Sequence, residues 1–324
     1  MAKNAVANLR GPLMNRCRLA VRWIFFVLLS GLSANTTLAQ KPQLAVAVTV
    51  DDLPQHGDLP PGMTRSDIAR SMIATFKAKG VPEVYGFMNA KRIGDDPDRS
   101  ASLKLWVDAG LPLGSHTFSH MDLTTHSAEE FETDIAEDEP FLQALMGARD
   151  WHWFRYPYLH EGDTLEKRHA VSKYLREHNY KLAEVTLDFE DYAWNNPYAR
   201  CVGKKDADAI AWLKQSYLST AAEYISLGQK MAVQLYGRDI KHVLLLHTGA
   251  FDSVMLPELL DQLMKQGFHF VTLPEAERDP AYLHDPDAAF KDGGTLLDQS
   301  MEAQHLKFPP HGEKPMKTLD EICR

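Results

Sequence analysis

The chain has 324 residues, 44% hydrophobic and 24% charged, with 35 basic residues against 44 acidic ones and a formal net charge of −9. That balance excludes nucleic acid, whose phosphates select basic surfaces. It also disfavours anionic membrane surfaces, while a neutral or cationic polymer is not repelled.

The first 39 residues read as a secretory signal peptide. Five basic residues and no acidic ones precede the apolar run WIFFVLLSGL, and polar SANTT leads to the small-residue site Thr37-Leu38-Ala39. The run falls short of the about 20 residues that a spanning helix needs. Cleavage after Ala39 is therefore expected, leaving no stable membrane span and an exported protein, periplasmic or secreted. The remainder carries 30 basic and 44 acidic residues, a net −14. Cys17 leaves with the leader, and Cys201 and Cys323 remain as a pair that an oxidising compartment permits to form one disulfide.

Downstream, short apolar runs alternate with amphipathic segments. Strands are expected at LAVAVTV (44–50), VYGFM (84–88), LPLGS (111–115), WHWFRY (151–156), KLAEVTL (181–187), HVLLLH (242–247) and FHFVTL (268–273). Helices are expected between them, with Ser66 and Ser127 as N-caps and Gly80 and Gly147 as stops. Strands alternating with helices argue for a parallel sheet with crossover helices, and seven such units suggest a closed or nearly closed α/β barrel. After about Pro274 the chain becomes rich in Pro, Asp and Gly. Residues 40–274 are thus expected to form the main domain and 275–324 a C-terminal extension packed on the barrel.

In such barrels the chemistry sits at the C-terminal ends of the strands. Asp51 and Asp52 follow the first run, where two adjacent carboxylates converge on one site only if the strand finishes there. His116 and His120, in GSHTFSH, have the spacing that places two imidazoles on one helix face. With Asp52 they make a two-histidine, one-aspartate set with open positions, the pattern of catalytic and not structural zinc. Asp51 is then free to act as a general base, with Arg155 to hold it ionised. His247 ends a fully apolar strand and suits a general acid, its pKa raised by Asp188 or Asp191. Tyr192 and Trp194 read as barrel core or sugar-stacking surface, and Trp151 and Trp153 as core. His56 and His126 read as surface loop positions, and His160 as facing a substrate groove. There is no G-x-S-x-G, P-loop or dinucleotide fingerprint.

From about residue 44 to 273 these ordered motifs resemble the polysaccharide deacetylases of carbohydrate esterase family four, the NodB homology domain. VTVDD, HTFSH, RYPY, DFEDY and LLLH stand for its five motifs in order. The resemblance implies a deformed (β/α)7 barrel and a divalent metal, most commonly zinc, with cobalt or nickel as alternatives. It implies Asp51 as catalytic base, with Asp52, His116 and His120 as ligands. Arg155 would hold the base, the Tyr158 backbone N–H would bind the oxyanion, Asp188 would tune His247, and Leu245 would line the acetyl pocket. The implied activity is removal of an N-acetyl group from an amino sugar of peptidoglycan, chitin or another glycan. The alternatives are a deformylase or other C–N hydrolase acting on a small molecule or lipid-linked sugar, and an inactive glycan-binding protein. Tyr192 stands where the family's fourth motif usually has Trp, and Leu159 where the third commonly has Gly.

Overall fold

The structure is a computed structural model that describes residues 44–324, so the signal-peptide reading falls outside the described residues. Seven parallel strands form its sheet: β1 (Leu44–Leu53), β2 (Val84–Met88), β3 (Leu113–Ser115), β4 (Trp153–Phe154), β5 (Lys181–Leu182), β6 (Lys241–His247) and β7 (Phe268–Phe270). Their order is β5-β4-β3-β2-β1-β6, with β7 pairing to Leu44–Val46 of β1. Between β5 and β6 the curled sheet is joined by one bridge, Leu187 to Leu244. This is the deformed (β/α)7 barrel, with its weakest seam between β5 and β6.

Alternation along β1 explains how the interior is built. Val46, Val48 and Val50 pack outward with Met72, Phe76 and Leu260 of the surrounding helices. Ala45 and Ala47 turn inward among Tyr85, Phe87, Trp153 and Val243. Small residues on β1 leave room for the large rings of β2 and β4. At Gly114 on β3 a Cβ would stand 2.6 Å from the Trp153 carbonyl oxygen, so this close approach requires glycine. The next inward positions, Thr49 and Asp51, are polar, so the lining changes from apolar floor to reactive mouth within one strand.

Helices α1 (Arg65–Lys79), α2 (Pro97–Asp108), α3 (Ala128–Met146) and α4 (Leu165–Glu177) connect the first five strands. The α1 cap is Thr64, two residues earlier than Ser66, because Thr64 and Asp67 form a reciprocal capping box. Ser127 caps α3 with Glu130, and Gly80 and Gly147 end α1 and α3 at positive φ. The connection from β5 to β6 holds two helices, α5 (Asn195–Lys204) and the 30-residue α6 (Ala207–Tyr236). α7 (Ala250–Gln266) leads to β7, and α8 (Leu273–Ala276), α9 (Leu296–Ala303) and α10 (Met316–Glu321) follow. None of the described helices is long and apolar enough to cross a membrane.

Four strand expectations were too long: LPLGS and FHFVTL each keep three strand residues. WHWFRY and KLAEVTL each contribute only two strand residues, because the chain after Leu182 leaves β4 and crosses to β6. The gap is filled from the C-terminal end, where Leu296 N donates to the Val185 carbonyl at 2.8 Å. Cys201 on α5 and Cys323 form a disulfide, Cα to Cα 5.2 Å, that fastens the end of the chain to the barrel.

Candidate active site

The strand does not finish at the paired aspartates. β1 runs to Leu53, but Asp52 has φ +69 and the register with β2 shifts between Val50 and Leu53. Residues other than glycine rarely adopt that backbone, and it breaks the alternation that would separate the two side chains. Both carboxylates consequently reach one imidazole: His116 Nε2 lies 3.7 Å from Asp51 Oδ2 and 3.8 Å from Asp52 Oδ1.

His116 and His120 are not on a helix. They lie in the loop after β3, with Thr117 at φ +61 and His120 at φ +62. The loop is pinned from three sides. Asn89 Nδ2 donates to the Thr117 carbonyl at 2.9 Å, Asp134 Oδ2 accepts from Ser119 N at 3.0 Å, and Met121 N donates to Thr117 Oγ1 at 3.1 Å. Buried Asp138 of α3 adds a brace below, accepting from Ala90 N and meeting Ser115 Oγ, each at 2.9 Å. Burial raises its pKa to about 7, against the opposing effect of these hydrogen bonds.

One oxygen of Asp52, one His116 nitrogen and one His120 nitrogen lie within 4.8 Å of one another. Three features of this set fit a divalent cation. His116 Nδ1 donates to the Arg155 carbonyl at 2.8 Å, which leaves the Nε2 lone pair for the cluster. Burial lowers the His120 pKa to about 4 and that of His116 well below the usual range, so both rings are in the neutral, ligating form. Asp52 Oδ1 is buried without a hydrogen bond, although Arg92 Nη1 stands 2.7 Å away in an ion pair. Burial alone would raise the Asp52 pKa, but the His56 hydrogen bond and the Arg92 charge hold it well below the carboxylate range.

Asp51 and His247 are register partners on adjacent strands, β1 and β6. Arg155 Nη1 lies 3.3 Å from both Asp51 oxygens, and its other nitrogens reach Thr49 Oγ1 at 3.2 Å and the Ala183 carbonyl at 2.5 Å. The guanidinium also rests on the Phe87 ring, 4.7 Å from its centroid. Burial raises the Asp51 pKa to about 6 and Arg155 restrains the rise.

His247 is held by Asp191, not by Asp188. Its Nδ1 meets Asp191 Oδ1 at 2.7 Å and its backbone N–H donates to Oδ2 at 2.7 Å. Asp188 instead accepts from Glu190 N at 2.7 Å and lines the cavity three residues earlier. The turn between them, with Glu190 at φ +59, aims the second aspartate and not the first at the histidine. Burial opposes charge on His247, but Asp191 outweighs it and the pKa rises to about 10.

The remaining expected residues divide. Tyr158 (φ +60, 56% exposed) stands at the rim, its ring 4.5 Å from that of His120. Leu245 and Tyr192 line the cavity, and so does His160, which pairs with Asp122 at 2.8 Å. Trp194 does not reach the cavity: it is fully buried and donates Nε1 to Ser216 Oγ at 2.9 Å. His56 is a partly exposed loop residue, as expected, but it also turns toward the site: its Nδ1 meets Asp52 Oδ2 at 2.6 Å and its ring lies 5.0 Å from that of His247. His126 is a loop residue, its Nδ1 bonded to the Asp122 carbonyl at 2.9 Å. Arg92, on the turn after β2, had no motif to mark it. The proximity of His56 to VTVDD was the only available signal for that residue.

Residues 39–183 match the family model described as polysaccharide deacetylase. A chitin deacetylase of Arthroderma benhamiae is 23% identical over 237 residues, covering 72% of this chain and 52% of the relative. The chain thus spans about half the length of that relative. Two solved structures share the fold at a TM-score of 0.50. One is the chitin deacetylase of Colletotrichum lindemuthianum, at 20% identity over 72% of this chain and 87% of that one. The other is a mutant of a Bacillus anthracis CE4 family pseudoenzyme with restored enzymatic activity, at 16% identity over 73% of this chain and 68% of that one.

Proposed function

We propose, from the match of residues 39–183 to the polysaccharide deacetylase family model, that this chain is an exported, metal-dependent amide hydrolase removing the acetyl group from an N-acetylated amino sugar of a glycan. The observation that carries the reading is the pairing of Asp51 with His247 across one strand register, each held by its own buried counter-charge, beside the Asp52, His116 and His120 donor set. A pure binding protein has no need for a restrained base and a charged acid facing one substrate atom. The leader-like N-terminus and the Cys201–Cys323 disulfide support export.

Asp52, His116 and His120 would hold the metal, which when bound supplies Lewis acidity toward a water and an acyl oxygen. Asp51, ionised above about pH 6, accepts the proton of the attacking water. Arg155 keeps that carboxylate oriented and returns no proton to it, because a guanidinium stays charged. His247, charged below about pH 10, gives its proton to the departing amine nitrogen. Asp191 fixes the His247 ring through Nδ1, so the proton on Nε2 faces the cavity. Tyr158, held at the rim in a left-handed turn, offers its backbone N–H to the developing oxyanion. Leu245, one inward position below His247, receives the acetyl methyl.

The test is Asp51→Asn, which keeps the shape of the side chain and removes its basicity. Metal content should stay at the wild-type level while turnover falls about 10²-fold or more, the usual contribution of a general base. Turnover within about tenfold of wild type would show that the base lies elsewhere.

A further inference from the structure

The cavity above the donor set measures about 560 Å³, within the roughly 300–1,000 Å³ of small-molecule sites. Much of its wall comes from outside the family-matched stretch 39–183. Tyr224, Leu227 and Met231 of α6 form one side, and Phe308, His311 and Lys314 of the C-terminal run form another. That run touches both banks of the site. At one end Gly293 packs on the rim turn, where a Cβ would stand 2.8 Å from the carbonyl oxygens of Tyr158 and Leu159. At the other, Lys314 Nζ meets Glu190 Oε1 at 2.7 Å and lies 4.5 Å from the Tyr224 ring centroid.

The crossing is fastened along its length. Gln234 Nε2 donates to the Lys307 carbonyl at 3.2 Å, and Tyr224 Oη to the Gly312 carbonyl at 3.2 Å. Beyond Lys314, Arg200 donates to the Leu319 carbonyl at 2.9 Å and the disulfide locks Cys323 to α5. A glycan attacked at an interior unit must leave the site at two ends. Here the Gly293-to-Lys314 run is anchored on the Tyr158 turn and on the Glu190 turn.

We propose that residues 293–314 make the cleft a one-ended pocket. The substrate is then a terminal N-acetylated amino sugar, or an oligomer of one or two units, and not an interior unit of a long polymer. This rests on the deacetylase reading above.

The experiment uses the metal-loaded full chain and N-acetylglucosamine oligomers of one to six units, labelled at the reducing end. Affinity is read by calorimetry, acetate by assay, and the deacetylated position by mass spectrometry. The wild type should lose acetyl from one end unit only, with kcat/KM changing by less than about twofold beyond two units. A kcat/KM that climbs about tenfold or more up to six units, with interior acetyl loss, overturns the proposal. Lys314→Ala, Cys323→Ser, Gln234→Ala and Tyr224→Phe together remove the side-chain fastenings of the crossing at Lys307, Gly312, Lys314 and Cys323 and should favour the six-unit over the two-unit oligomer by about tenfold relative to wild type. An unchanged length profile in this variant, folded by circular dichroism, also overturns it. If the variant does not fold, the wild-type profile alone decides. Absence of both binding and acetate release at every length defeats the deacetylase reading, and this inference falls with it.

Discussion

Replacing Asp191 with asparagine removes the carboxylate that meets His247 Nδ1 at 2.7 Å while keeping a hydrogen-bond acceptor in its place. A unit charge pair at about 4 Å contributes about 4 kcal/mol at an effective dielectric constant of 20, which is about three pKa units. The His247 pKa should therefore drop from about 10 toward about 7. On the proposed roles, Asp51 would set the acid limb near pH 6 and His247 the alkaline limb near pH 10, so kcat/KM should be flat between them. In Asp191→Asn the alkaline limb should start near neutrality, with kcat/KM at pH 8 reduced about tenfold because about nine-tenths of His247 is uncharged. The assay is acetate release from N-acetylglucosamine oligomers across pH 5 to 10, with Asp188→Asn as the comparison. Asp188 does not touch the ring and should leave the alkaline limb in place. A limb that stays put in Asp191→Asn, or moves instead in Asp188→Asn, would refute the assignment of the acid's partner.

Replacing His116 with alanine should abolish metal retention and activity together, measurable by metal analysis after dialysis, since it leaves one histidine and one aspartate in the donor set. Asp138→Asn should raise stability at alkaline pH: the folded pKa of about 7 lies above the unfolded 3.8, so the stabilising proton is fully held below pH 3.8 and lost as pH rises through 7. The gain at pH 8 has a ceiling of about 4 kcal/mol, and urea unfolding at pH 5 and 8 should show wild type losing more stability between them than the variant does. Reducing the Cys201–Cys323 bridge, which closes a loop of 122 residues, should lower stability by up to about 5 kcal/mol in the chain-entropy account. A denaturation midpoint unmoved by reductant would contradict that.

The residues that end apolar runs were readable because a parallel barrel presents strand ends to one face. Asp51 and His247 are the clearest case, standing side by side in the β1–β6 register. What hid the rest was local backbone. The reach of both Asp51 and Asp52 depends on the positive φ of Asp52, and the His116–His120 pair depends on two left-handed residues and not on helical spacing. The choice between Asp188 and Asp191 turned on the Glu190 turn, which carries no composition signal. β4 and β5 were overread because buried runs in the barrel wall keep their apolar character after they change neighbours. The C-terminal run looked like surface wrapping from its Pro, Asp and Gly content. Its contribution to the cavity depends on contacts between positions more than 100 residues apart, such as Glu190 with Lys314.

The central claim is a metal-assisted attack on an acetyl amide, and product identity with and without metal tests it most directly. The full chain is incubated with N-acetylglucosamine oligomers, treated with chelator, and then resupplied with zinc. Acetate should appear in equal amount to new free amine, vanish with the chelator and return with zinc. Formate or ammonia in place of acetate, or acetate release indifferent to the chelator, would contradict the account.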